Sequence, residues 1–108
     1  MPRPGPVTIE VTAGPEATTI HIRGELDLVT MPSLAEQLAP VLRDMSGRLV
    51  FDLAGTSFMD CGSARLIARA GQSAGGQRPL IRRPAPAVRR VFELTGLAAY
   101  CEIESLAR

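Results

Sequence analysis

Residues 49–71 read LVFDLAGTSFMDCGSARLIARAG and contain the segment that decides the fold. The first five are a nearly continuous apolar run rich in strand formers, which is typical of a central strand covered on both faces. After Asp60 the pattern changes, because Ala64, Ile67 and Gly71 recur at helical spacing. The segment therefore predicts a buried strand, a connection through residues 55–59, and a helix that begins at Asp60.

Two strands are predicted before this segment. Residues 7–11 and residues 18–23 both alternate apolar and polar side chains, and the turn-forming stretch of residues 13–16 separates them. The pair is typical of an antiparallel hairpin, and Gly24 ends its second strand.

A first helix is predicted from a cap at Thr30 to a stop at Gly47. Its apolar residues recur at helical spacing and are Leu34, Leu38, Val41, Leu42 and Met45. Pro40 lies inside this pattern, where its missing N–H and its ring clash cost about 3 kcal/mol in a straight helix. We therefore expect a bend or an early break between Glu36 and Pro40.

The rest of the chain continues the alternation of strands and helices. Residues 79–83 predict a strand, Pro86 begins a third helix that Gly96 terminates, and residues 101–104 predict a short last strand. This order implies an α/β domain: a mixed central sheet of about four to five strands with helices packed mainly on one side. We expect one domain over residues 7–108 behind a flexible N-terminal segment, residues 1–6.

The composition argues against several classes of function. Twelve Arg, no Lys and eleven acidic residues leave a net charge of +1, without the basic excess that nucleic-acid binding requires. The N-terminus lacks the apolar stretch of a signal peptide or membrane helix, so we expect a cytoplasmic protein that does not insert into membranes. Cys61 and Cys101 lack the spacing of a disulfide framework or a zinc site, so neither a metal nor a cofactor is predicted.

Three stretches of the chain, taken in order and spacing, are similar to the STAS domain family of sulfate transporters and anti-sigma factor antagonists. They are Gly24-Glu25-Leu26-Asp27 followed by Thr30, then Phe58-Met59-Asp60 at the start of a helix, and residues 88–97, VRRVFELTGL. The resemblance extends over nearly the whole chain.

The resemblance implies a STAS-like fold and a regulatory module that catalyses no reaction. An antagonist of this family binds an anti-sigma factor with a kinase-type ATPase fold, and this binding releases a sigma factor to RNA polymerase. The kinase partner phosphorylates a Ser directly after the family's Asp, and the added charge weakens the interface. A kinase-type anti-sigma factor is therefore the expected partner, and a homodimer is left open.

Cys61 stands at the position of that phosphoacceptor Ser. A thiol is not a usual acceptor for a Ser/Thr kinase, so Cys61 is not expected to be phosphorylated. Ser63 is an alternative phosphosite, although a helical path turns its hydroxyl about 200° away from Cys61. The partner interface is expected to comprise Glu25, Asp27, Asp60, Cys61, Gly62, Ser63, Arg65 and Arg69.

Purely structural roles compete with these assignments. Asp60 is also explained by capping its helix, and Glu25 and Asp27 by solvation in a loop. The two Arg residues of the interface are also explained as solvated helix surface. Asp52, inside a predicted strand, needs hydrogen-bond partners and is expected to tie a neighbouring loop.

Two other functions stay open on the sequence. One is a constitutive STAS scaffold that cannot be phosphorylated, or a sensor for a small ligand. The other is a redox-sensitive or nucleophilic thiol at Cys61, because a helix N-terminus favours the thiolate. Asp60 opposes that shift, and the single histidine, His21, lies in a predicted strand far from Cys61 in the sequence.

Overall fold

The computed structural model describes residues 6–75 and 77–104, so the predicted flexible segment of residues 1–6 lies outside this part of the chain except for Pro6. The elements are, in chain order, β1 (Thr8–Ala13), β2 (Ala17–Leu26), α1 (Met31–Asp44), β3 (Arg48–Asp52), β4 (Thr56–Met59), α2 (Cys61–Gly75), β5 (Leu80–Arg82), α3 (Pro86–Leu94), a 3-10 turn (Leu97–Tyr100) and β6 (Glu102–Ile103). Within these residues no helix has the length and apolar character needed to cross a membrane.

The strand β2 organises the sheet, because its ten residues pair with three other strands. It runs antiparallel to β1, its first half is parallel to β3, and its end is parallel to β4. The change from β3 to β4 coincides with a break in register between Gly24 and Glu25. Gly24 has a φ of 120° there, a conformation that a residue with a Cβ rarely adopts.

The mixed α/β sheet agrees with the prediction, but the described residues form six strands and not four to five. The additional strand is β4, where the sequence pattern indicates only a connection. Its side chains do not alternate, since Thr56 and Met59 are buried whereas Ser57 and Phe58 are exposed. A strand of four residues carries no usable periodicity, so only its pairing with β2 defines it.

The helices pack mainly on one face of the sheet, as predicted. Ile20, Phe51 and Ile81 lie opposite one another across β2, β3 and β5, and each is fully buried. The helical side chains in the same core cluster include Leu34, Leu38, Ile67, Val88 and Phe92. Because side chains alternate along a strand, the next residues of the three strands point to the opposite face, and they are His21, Asp52 and Arg82.

The helix α1 continues through Pro40 to Asp44, so the predicted early break does not occur. Pro40 lies on the exposed side of the helix. The carbonyl that loses its hydrogen bond to the proline can therefore be solvated, which lowers the cost of keeping proline inside a helix. The helix ends at Asp44 with Met45 as its C-cap, so Gly47, the residue predicted to terminate it, lies two residues beyond that cap and has a φ of 78°.

Candidate functional site

Asp27 shapes the turn between β2 and α1. Its Oδ1 accepts hydrogen bonds from the N–H groups of Val29 at 2.9 Å and Thr30 at 3.0 Å. Thr30 occupies the predicted cap position but makes no side-chain cap; its hydroxyl donates to the carbonyl of Glu25 at 2.7 Å. The turn is thus held by side chains on both of its sides: the Asp27 carboxylate accepts the N–H groups of Val29 and Thr30, and the Thr30 hydroxyl accepts the N–H of Asp27 at 3.1 Å.

Asp60 caps α2 and also joins the helix to the β2–α1 turn. Its Oδ1 accepts the N–H of Ser63 at 2.8 Å, which is the predicted N-cap hydrogen bond. Its own N–H donates to the carbonyl of Leu26 at 2.9 Å. The pairing of β4 with β2 therefore places the first turn of α2 beside the turn that Asp27 shapes.

Cys61 is exposed at the first position of α2. Gly62 is exposed beside it, and a Cβ added at Gly62 would lie 3.8 Å from the Met31 sulfur at the start of α1. The starts of α1 and α2 are therefore neighbours, and the thiol of Cys61 is exposed to solvent near them.

Ser63 does not share this surface. Its exposed fraction is 0%, and its hydroxyl has no hydrogen-bond partner among the described residues. A side chain so enclosed cannot touch a docked protein, and a kinase could reach its hydroxyl only if the first turn of α2 opened. The structure thus removes Ser63 from the exposed part of the expected interface and weighs against it as a phosphosite.

Three large apolar side chains are exposed in the segments next to Asp27 and Asp60. Leu28 is 75% exposed, Val29 is 73% exposed and Phe58 is 50% exposed. They lie within two residues of Asp27 or Asp60, so their positions are set by the turn and by β4. Their exposure was not predicted, although apolar residues directly beside turn-forming and capping ones are a signal of it. We call the following set the α2 tip surface: Glu25, Asp27, Leu28, Val29, Phe58, Asp60, Cys61 and Gly62.

Arg65 and Arg69 extend this surface along α2. Both side chains are exposed, and they follow Cys61 at successive intervals of four residues, which places all three on one side of the helix. Neither forms an ion pair with a carboxylate in the described part of the chain. Seven of the eight predicted interface residues are therefore exposed or half-buried, and Ser63 is the buried one. Glu25 lies on β2, and the other six lie in the β2–α1 turn, at the start of α2 or along the same side of that helix.

Asp52 forms a separate cluster on the other face of the sheet. It is 2% exposed, lies 3.3 Å from His21 Nδ1, and forms an ion pair with Arg83. It also accepts the N–H of Ala54 at 3.0 Å, which ties the loop after β3 as predicted. Burial raises the pKa of Asp52, but the hydrogen bonds from Arg83 and Ala54 and the charges of Arg83 and His21 outweigh it, so the pKa is lowered.

The second cysteine belongs to the core. Cys101 is 1% exposed, and burial raises the pKa of its thiol to about 11 against the opposing charge of Arg78. A thiol in this environment is inert. Within residues 6–75 and 77–104 no group of three His, Cys, Asp or Glu side chains could hold a metal ion.

Comparison with known proteins places this geometry among characterised domains. A family model described as "Mlab, STAS domain" matches residues 9–105. The anti-sigma-F factor antagonist RsfB of Mycobacterium tuberculosis is 28% identical over 75 residues, which are 69% of this chain and 62% of RsfB. The chain thus matches less than two thirds of the length of that relative.

Solved structures show the same fold. The crystal structure of an anti-sigma factor antagonist from Mycobacterium paratuberculosis superposes with a TM-score of 0.76 at 27% identity, over 93% of this chain and 86% of that one. The antagonist SpoIIAA in its unphosphorylated form gives a TM-score of 0.63 at 20% identity, over 92% and 88% of the two chains. The phosphorylated form of SpoIIAA, a Bacillus cell fate determinant, gives 0.61 at 20% identity, over 92% and 91%.

Proposed function

This chain belongs to the STAS domain family, and from that premise we propose that it is an anti-sigma factor antagonist that binds a kinase-type anti-sigma factor and so frees a sigma factor. It works by occupying the partner's surface and catalyses no reaction. The names of the M. paratuberculosis structure and of the M. tuberculosis relative support the class of partner.

The observation that carries the proposal is the α2 tip surface. An exposed, uncharged Cys61 lies at a helix start whose neighbours Leu28, Val29 and Phe58 are at least half exposed. Protein interfaces combine an apolar centre with a polar rim, and charged residues are depleted at that centre. The Asp27 and Asp60 carboxylates of the tip surface are held in local hydrogen bonds, so docking does not require them to lose those partners.

Regulation of this antagonist differs from the phosphorylation switch that the family resemblance implies. Residue 61 carries a thiol where the acceptor hydroxyl would be, and the hydroxyl of Ser63 is enclosed in the core. The tip surface therefore keeps a neutral centre, and the antagonist stays competent to bind whenever it is present. A negative charge placed at residue 61 reproduces the missing switch, because it meets the partner in a desolvated contact.

The test is affinity capture with a panel of kinase-type anti-sigma factors, with and without nucleotide. Without nucleotide, we expect wild type and Cys61→Ser to retain a partner and Cys61→Asp to bind it at least about tenfold more weakly. Ser46→Asp is the matched control: it adds the same charge in the exposed loop before β3, at the opposite end of the parallel strands. Capture of no anti-sigma factor by wild type, under either condition, would contradict the proposal.

Binding can be constitutive or switched by phosphorylation, and the chemistry at Cys61 and Ser63 favours the constitutive mode. Incubation with the captured kinase and ATP, followed by mass spectrometry, separates the two. An unmodified wild-type chain supports constitutive binding, whereas phosphate on Ser63 would show that α2 opens to the kinase. Cys61→Ser supplies the acceptor hydroxyl and is expected to be modified at residue 61 wherever the kinase docks.

A redox role for Cys61 is tested with the same complex. Its thiol is exposed at the start of α2, where an oxidant can reach it. Unchanged partner affinity after mild peroxide treatment would leave Cys61 as a neutral contact. A loss of affinity that Cys61→Ser prevents would establish redox control.

A further inference from the structure

A groove of about 280 Å³ lies between the outer side of α2 and the 3-10 turn that precedes β6. We call it the α2 groove, and its walls are formed by Arg65, Ala68, Arg69, Gln72, Leu97 and Tyr100. It contains none of the tip surface residues, but it begins one helical turn from Cys61. At a rise of about 1.5 Å per residue, its two Arg residues follow Cys61 by about 6 and about 12 Å along the helix axis.

The α2 groove holds two cations that the chain itself does not neutralise. All eleven Asp and Glu side chains fall within the described residues, and none lies within ion-pair distance of Arg65 or Arg69. Five other Arg residues do have a carboxylate partner. Like charges four residues apart destabilise an isolated helix slightly, so local structure alone does not favour this arrangement.

The remaining walls provide contact area and no competing charge. Tyr100 is 49% exposed, Leu97 and Ala68 are apolar, and Gln72 offers an amide. Arg and Tyr are among the side chains that most often dominate binding energy at protein interfaces. Two guanidinium forks beside the Tyr100 ring and Leu97 match carboxylates carried on a polypeptide, whose own backbone and side chains cover these groups.

We infer that the α2 groove receives an acidic segment of the protein partner, with two carboxylates about one helical turn apart, while the tip surface takes the partner's apolar contact. The continuity of the groove with the tip surface and its charge favour this occupant over a small anion. The inference rests on the proposed function only for the identity of the partner, because the recognition chemistry belongs to the groove itself.

A partner-free experiment tests the recognition chemistry. Isotope-labelled protein is titrated with a helical peptide carrying Glu at two positions four residues apart, with its Gln counterpart and, separately, with inorganic phosphate. We expect the Glu peptide to shift the Arg65 and Arg69 side-chain signals and the Tyr100 ring signals. The double variant R65Q/R69Q should bind the Glu peptide at least roughly fivefold more weakly than the wild type. The control Arg43→Gln should bind the peptide like the wild type; Arg43 is an exposed residue on α1 that forms no ion pair within the described residues.

The outcomes of that titration are decisive in both directions. Equal binding of the Glu and Gln peptides, or shifts outside the α2 groove, would overturn the inference. Saturable binding of phosphate at the same side chains without binding of the peptide would assign the groove to a small anion and overturn it as well. Thermal unfolding of each variant confirms that a loss of binding does not reflect a loss of the fold.

A second measurement uses a partner retained in the capture experiment. The double variant R65E/R69E should weaken the complex at least about tenfold at low salt, and the difference should shrink as salt increases. Peptide binding without any captured anti-sigma factor would uphold the groove and count against the proposed function. A captured partner that binds R65E/R69E as tightly as the wild type would support the proposed function and overturn the inference about the α2 groove.

Discussion

At the level of single residues, Cys61 and Ser63 show how two positions of one helix turn obtain opposite roles. They are separated by about 200° around the helix axis, so one of them faces solvent when the other faces the core. The structure places Cys61 at the surface and Ser63 in the interior with no exposed area. The sequence predicts this divergence from helix geometry alone, but it does not tell which of the two faces inward.

Asp52 is the buried charge whose neutralisation depends on distant residues. His21 comes from β2 and Arg83 follows β5, so the carboxylate at the end of β3 links three parts of the chain. The hydrogen bonds and charges that lower its pKa are present only in the folded protein. The ionised form is therefore more stable in the fold than in the unfolded chain, and this difference contributes to the free energy of unfolding.

We expect Asp52→Asn to lower the free energy of unfolding by about 1–2 kcal/mol at pH 7. Because the folded-state pKa lies below the usual 3.8, this contribution is complete above that value and is lost as the pH falls through the folded-state pKa. Urea unfolding between pH 7 and pH 2 measures it: the wild-type and variant curves should converge in acid. For Asp44→Asn, at an exposed carboxylate, the free energy of unfolding should equal that of the wild type at every pH. A difference between Asp52→Asn and the wild type that does not change with pH would contradict this explanation.

At the level of elements, α2 is fitted closely against the chain that enters β5. A Cβ added at Gly71 would lie 2.2 Å from Pro79 Cγ and 2.6 Å from both Pro79 Cβ and Cδ. These separations are far below van der Waals contact, and a proline ring cannot rotate away. Gly71 is therefore required by packing, although glycine is a poor residue for the interior of a helix.

Gly71→Ala should lower the free energy of unfolding by about 1–3 kcal/mol, despite a helix propensity gain of up to about 1 kcal/mol. Gly62→Ala is the matched control in the same helix, because its nearest atoms lie 3.8 Å from the added Cβ. It should be neutral or stabilising. Chemical denaturation of both variants checks the pair, and equal effects would show that close packing against Pro79 is not what selects glycine.

Pro40 lies inside α1, where the sequence predicted a bend or an early break and the structure shows no break. Restoring a backbone N–H there should raise the free energy of unfolding, because α1 continues past it to Asp44. We expect Pro40→Ala to stabilise the protein by about 1–2 kcal/mol, less than the full helix cost because proline also restricts the unfolded chain. Pro32→Ala, in the first turn of the same helix, should not stabilise it, since that N–H lacks a helical acceptor anyway.

At the level of the whole molecule, the reactivity of Cys61 measures exposure in the native state, and the reactivity of Cys101 measures unfolding of the core. Cys61 is exposed in the native state, whereas Cys101 is enclosed by the core and the pKa of its thiol is raised to about 11 by burial. Iodoacetamide should therefore label native protein at one site, and labelling of Cys101 should follow unfolding as urea is added. Peptide mass spectrometry measures both rates. Equal native rates would contradict the enclosure of Cys101.

The sequence alone determined the class of fold and the start of the site. Strand alternation, helical spacing, and the Asp60 cap are local patterns, readable from a few neighbouring residues. They predicted the mixed sheet and the helix that begins beside Cys61, and the structure confirmed both. The resemblance to the STAS family came separately, from three sequence stretches in order, and the family comparison confirmed it.

Only the tertiary structure decided what lies around that helix start. The pairing of β4 with the end of β2, the hydrogen bond from Asp60 to Leu26, and the groove between α2 and Tyr100 join residues far apart in the sequence. No local period encodes such a register, because it is selected by how the helices and strands bury their apolar faces together. The exposure of Phe58 and the burial of Ser63 follow from that packing and not from the residues themselves.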